Sequence, residues 1–85
     1  MIKEINYNKL TKIQENPWDY ILYEYSNGYI LSVVCGSVGL YDTNILLDTN
    51  QIENFKIQGE KMLIELAEKI RSNPESYSST NIRLK

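Results

Sequence analysis

Few side chains in this sequence could do covalent or acid–base chemistry, and their surroundings limit those few. Cys35 is the lone thiol. A reactive thiolate needs a neighbouring base or a positive field. The chain has no histidine, and no lysine or arginine lies within twenty positions of Cys35. Cys35 therefore reads as a small core residue. Without imidazole, an enzyme would depend on carboxylates, tyrosines or lysines of shifted pKa, an uncommon arrangement in so small a domain. Asp42-Thr43-Asn44 and Asp48-Thr49-Asn50 both resemble the Asp-x-Asn opening of an EF-hand loop. Neither continues with glycine at position 6 of that loop together with glutamate at position 12, so both read as turns or caps. Gly36-Ser37-Val38-Gly39 lacks the lysine and the following helix of a phosphate cradle. No catalytic residue, metal ligand or cofactor is assigned, and the expected class is a non-enzyme.

The stronger signal is one of recognition. From residue 13 to residue 55 there is no lysine or arginine, while Glu15, Asp19, Glu24, Asp42, Asp48 and Glu53 all fall inside. The same stretch holds Trp18 and the tyrosines 20, 23, 25, 29 and 41. Acidic surfaces with interleaved aromatics suit a basic protein partner and repel nucleic acid. Lys61, Lys69 and Arg71 are interleaved with Glu60, Glu65 and Glu68, a pattern of solvated mixed charge, not of phosphate binding.

The 85 residues are expected to form one domain, 1–85, burying only about 60–65% of the unfolded surface. A single cysteine excludes an internal disulfide framework and fits a reducing compartment. The amino terminus lacks the apolar core of a signal peptide, and no apolar run is long enough to span a membrane. A cytoplasmic protein is the resulting expectation.

Positioning these residues falls to a few elements. Ser26-Asn27-Gly28-Tyr29 carries the Asn-Gly signature of a type I′ hairpin. Strands of about 18–26 and 29–36 flank it, and a two-residue loop would place Tyr25 opposite Ile30 and Leu22 opposite Val33. One face then holds Trp18, Tyr20, Leu22, Leu31, Val33 and Cys35, the expected core side. The other presents Asp19, Ile21, Tyr23, Tyr25, Ile30, Ser32 and Val34. Gly36-Ser37 suggests a type II′ turn into a third strand, 38–47, with Leu40 opposite Val33, Asp42 opposite Leu31 and a bulge near 42–44. Apolar residues at helical spacing from Ile52 to Ile70 predict one long helix over 50–72, stopped by Asn73-Pro74. Asn50 with Glu53 fits its N-terminal cap, with Asp48 and Gln51 as a competing start. Gly59 is a weak point or a break within it. Residues 1–16 are ambiguous, and Ile82 with Leu84 allows a short edge strand. The expected class is α+β: a three- to four-stranded antiparallel meander packed on one long helix.

Two runs carry a resemblance. They are Asn27-Gly-Tyr-Ile-Leu-Ser-Val-Val-Cys-Gly-Ser-Val-Gly-Leu-Tyr-Asp42 and Gly59-Glu-Lys-Met-Leu-Ile-Glu-Leu-Ala-Glu-Lys-Ile-Arg-Ser-Asn-Pro-Glu75. Together they resemble the small immunity proteins of bacterial polymorphic toxin systems, including those of contact-dependent growth inhibition. The resemblance implies a cytoplasmic protein that binds one cognate toxin domain, often a basic nuclease, and masks its active site. It transfers no binding residues. Those come from charge and face: Asp19, Tyr23 and Tyr25 on the outer face, with Glu24, Asp42 and Asp48 at rims and bends, mimicking substrate phosphates. A monomer in a 1:1 complex, with no direct contact to nucleic acid or membrane, is the expected form. The alternative is a small structural module that self-associates through its tyrosine face.

Overall fold

Alternation of apolar and polar residues builds a central sheet, seen in a computed structural model that describes residues 3–26, 28–36, 39 and 41–84. The elements in chain order are β1 (Lys3–Ile5), a 3-10 turn (Tyr7–Lys9), β2 (Thr11–Asn16), β3 (Tyr20–Tyr25), β4 (Gly28–Cys35) and β5 (Tyr41–Leu46). There follow α1 (Thr49–Gln58), α2 (Glu60–Ser72), a 3-10 segment (Pro74–Thr80) and β6 (Ile82–Leu84). Strands β2-β3-β4-β5 form a four-stranded antiparallel meander, while β1 and β6 pair in parallel as a separate ladder. The α+β class and the antiparallel meander agree with the sequence reading.

The first hairpin is one residue away from its expected position. Tyr25 pairs with Gly28, Tyr23 with Ile30, Leu22 with Leu31 and Tyr20 with Val33. Gly28 is thus a strand residue and not a turn centre, and Ser26 carries the positive φ of 54°. The expectation for Asn27 lies outside the described residues. Each β3 residue meets a partner two places earlier than expected, so the alternation survives. Tyr20, Leu22, Leu31, Val33 and Cys35 accordingly lie together in the main core.

The second hairpin differs more. Thr43 stands opposite Val33 and Ile45 opposite Leu31, a shift of three that reverses the faces of β5. Ile45 and Leu47 enter the core, whereas Asp42 is exposed. Burying Ile45 and Leu47, each worth about 2 kcal/mol, outweighs the short loop that would have buried Asp42 instead. Gly36 does take a positive φ of 98°, and a Cβ there would collide with the Gly39 carbonyl. The expectations for Ser37, Val38 and Leu40 lie outside the described residues. No bulge interrupts residues 42–44; the register shift sits on β2 instead, between Lys12 and Gln14.

The single helix over 50–72 is also corrected. Gly59, at φ 65° and ψ −138°, divides it into helices of 10 and 13 residues. The start is Asp48 and not Asn50: the Asp48 side chain accepts from the Gln51 amide while Gln51 Oε1 accepts from the Asp48 amide, both at 2.8 Å. Asn73 caps the end of α2 just before Pro74, where the sequence placed it. Helix α2 supplies the helical half of the core through Met62, Leu63, Leu66, Ala67 and Ile70. Helix α1 buries no residue fully and adds Ile52 and Phe55, with Phe55 edge-on to Tyr29 at 5.9 Å.

A second layer covers the other side of the sheet. Ile5 of β1 and Ile82 of β6 pack on Tyr23 and Ile30, with Leu10, Ile21, Tyr25 and Leu84 around them. Asn44 secures this layer: its Nδ2 donates to Ile82 O at 2.8 Å, and its amide donates to Asn81 Oδ1 at 2.8 Å. The face expected to be open is therefore covered over its middle. Ile82 and Leu84 do form the short strand allowed by the sequence.

Candidate protein-binding face

The turn between β2 and β3 reads Asn16-Pro17-Trp18-Asp19. Proline presets the φ of a turn's second position, which leaves Trp18 at the third, where a type II turn demands positive φ. Trp18 has a φ of 66°, and the Asp19 amide closes the turn on Asn16 O at 3.0 Å. That region is unfavourable for a bulky L-residue. The Trp18 side chain is 83% exposed. The expectation that Trp18 belongs to the core face is overturned, because Pro17 ends the strand alternation before it.

This tip is braced from behind. Asn16 Nδ2 donates to Asp19 Oδ2 at 2.9 Å. Arg71, at the end of α2, donates Nε to Val34 O at 3.1 Å and Nη2 to Asp19 O at 3.2 Å. The same Nη2 forms an ion pair with Asp19 Oδ1. Asp19 is thus a positioned carboxylate whose charge is partly met within the chain. The loop it braces presents the indole to solvent on a fixed support.

Cross-strand registers place other acids on this side. Val34 accepts Asp42 as its partner on β5, and its amide donates to Asp19 O at 2.9 Å. One row inward, Glu15, Ile21, Ser32 and Asn44 are consecutive partners across the four strands. Alternation puts Glu15 and Asp42 on one face, around half-buried Ile21 and Val34, while Asp19 sits in the turn at the sheet's end with its carboxylate drawn to Arg71 of α2. Glu15 is paired with Lys12 at 3.1 Å. The field of Glu15 and Asp42 reaches Tyr23, whose hydroxyl pKa is raised first by burial, then by Tyr7, Glu15 and Asp42.

The remaining expected site residues separate from these. Tyr23 is buried, 9% exposed, beneath β1 and β6, and Tyr25 is half-buried at the edge of the same cluster. Neither offers the open ring face that the sequence suggested. Glu24 is exposed but lies at the opposite end of the sheet, paired with Thr11 and Tyr29. Asp48 is near that end too, since Leu47 N donates to Tyr29 O, and its carboxylate is engaged as the α1 cap. The six residues therefore divide into Asp19 and Asp42 at one end, Glu24 and Asp48 at the other, and two covered tyrosines.

Elsewhere the polar groups serve the fold. Cys35 is 1% exposed and donates weakly to Val33 O at 3.6 Å, a core thiol as expected. Tyr20 donates its hydroxyl to Glu60 Oε2 at 2.7 Å, and Gln14 Nε2 donates to both of them. Burial first, then the Glu60 bond, pushes the Tyr20 pKa up to about 12. This triad ties β2 and β3 to the start of α2. Among the described residues, no helix is long and apolar enough to cross a membrane.

Comparison with family models, curated proteins and solved structures returned no match.

Proposed function

We propose that this chain is an immunity protein that binds one basic toxin domain, a nuclease, and neutralises it as a monomer in a 1:1 complex. The reading rests on Trp18, an 83% exposed indole held at φ 66° by a braced turn next to Glu15, Asp19 and Asp42. A fold gains nothing from strain and exposure at one large apolar residue, whereas a binding surface gains a rigid anchor. The acids beside it steer a cationic partner and raise its rate of encounter. The resemblance to immunity proteins of polymorphic toxin systems supports the same class of partner. Asp19 and Asp42 carry over from the sequence reading as contact residues; Glu15 and Trp18 are added.

The test is whether the adjacent upstream gene encodes a large secreted protein and whether this chain binds that protein's carboxy-terminal domain. Glu15→Lys and Asp42→Lys should slow association and flatten its dependence on salt, while Trp18→Ala should speed dissociation. Unchanged kinetics in all three variants would remove this face from the proposal. The alternative, self-association through a tyrosine face, is disfavoured by the cover over Tyr23.

A further inference from the structure

The turn that displays Trp18 has two forms available to it. Types I and II both close the fourth residue's amide on the first residue's carbonyl, and they differ by a flip of the central peptide. In Asn16-Pro17-Trp18-Asp19 the residues themselves favour type I. Proline suits the second position of either form, and asparagine is preferred at the first position of type I. The third position of type II wants glycine or asparagine, not a bulky side chain. Yet Trp18 stands at φ 66°, the type II form, with the Asp19 amide closed on Asn16 O. Something outside the four residues selects it.

Asp19 is where the selection enters, because each of its oxygens is engaged. The backbone O accepts from the Val34 amide at 2.9 Å and from Arg71 Nη2 at 3.2 Å. Oδ1 is ion-paired with the same Nη2, and Oδ2 accepts from Asn16 Nδ2 at 2.9 Å. The bond to Asn16 matters most. An asparagine at the head of a type I turn steadies it by accepting from the amide two residues on. Here the Asn16 side chain is drawn to the Asp19 carboxylate instead, and that support for type I is withdrawn. Arg71 orients the carboxylate. Its Nε is fixed on Val34 O at 3.1 Å, and its backbone belongs to the last turn of α2.

We infer that Arg71 is a positioning residue for the binding face: acting through Asp19 and Asn16, it holds the Trp18 turn in type II and so fixes the direction of the indole. The inference rests on the proposed role of Trp18 as an anchor. It makes the end of α2 the element that sets what fraction of molecules is ready to bind.

The test is NMR on the whole chain. The Pro17 Hα lies close to the Trp18 amide proton in type II and far from it in type I, so their NOE reads the turn directly. Arg71→Gln, an exposed change, should weaken this NOE. Arg71→Lys keeps the charge without the planar fork and should restore it in part. Asp48→Ala removes the α1 cap at the other end of the sheet and should leave it unchanged. Full NOE strength in Arg71→Gln overturns the inference. So does an equal loss in Asp48→Ala, which would mark general loosening. The second arm is binding to the carboxy-terminal domain named above. If the released turn is type II in roughly a tenth of the molecules, apparent affinity falls about tenfold, and the loss appears in association. Removing a positive charge would by itself speed encounter with a basic partner, so slower association carries the sign of the turn. Unchanged or faster association beside a weakened NOE overturns the link to binding. The NMR arm involves no toxin. Its failure leaves Trp18 free to anchor a complex, and a turn that flips in a chain binding no toxin domain removes the broader reading alone.

Discussion

Trp18 is costly to hold where it is: its backbone sits in a region that disfavours side chains, and its indole is left in water. Replacing it with glycine should relieve the first cost. Trp18→Gly is expected to raise stability by about 0.5–1 kcal/mol in urea unfolding, the relief being partly offset by the freer unfolded chain. The same change should weaken toxin binding about thirtyfold, the loss expected of an interface anchor worth about 2 kcal/mol. A variant that is both less stable and fully able to bind would show the residue to be structural. Composition drew attention to the right segment, yet counting alternation outward from the hairpin assigned Trp18 to the core. Pro17 was the readable sign against that, because it resets the turn before the tryptophan. Asn44 gave no such sign, since the bond that fixes its side-chain amide goes to a strand some forty residues away.

Elements were more legible than their registers. Both hairpin strands, the α2 stripe and the stop at Pro74 could be read because each depends on local chemistry, whereas the cap fell on Asp48, the competing start, and not on Asn50. The β4–β5 register could not, because a loop of unknown length leaves parity open and only the buried partners Ile45 and Leu47 decide it. Gly59 shows the same limit in the helices. Apolar spacing carries across it, so the sequence permits one helix, whereas the observed φ and ψ make two. Helix propensity alone says that Gly59→Ala should stabilise by about 1 kcal/mol. The backbone at φ 65° and ψ −138° says the reverse. Since a Cβ there would meet no atom within 4 Å, the penalty is one of conformation, about 1–3 kcal/mol, and thermal unfolding should shift downward. An upward shift would mean that the two helices are one in solution.

At the scale of the molecule, two buried phenols couple the fold to alkaline pH. Tyr20 titrates at about 12 in the folded chain against an ordinary 10.0, and Tyr23 is also raised. A raised tyrosine pKa means that folding favours the protonated phenol. The contribution is complete below pH 10 and is lost as pH climbs from there toward 12. Unfolding free energy should therefore fall across that window, and Tyr20→Phe should make the fall shallower. The variant should also lose about 1 kcal/mol at neutral pH with the Glu60 hydrogen bond. An unaltered alkaline slope would place the coupling elsewhere. The second core layer that buries Tyr23 was not legible, because β1 and β6 come from opposite ends of the described chain and neither is more than three residues long.

That parallel ladder has a mechanical consequence. Lys3 lies beside Ile82 and Ile5 beside Leu84, so the two strands run the same way with their outer ends at opposite tips. A force drawing Lys3 and Leu84 apart would slide the strands along each other and load all their hydrogen bonds together. Peeling them one at a time would be the weaker geometry. Under tension, the least regular part of the fold becomes its clasp.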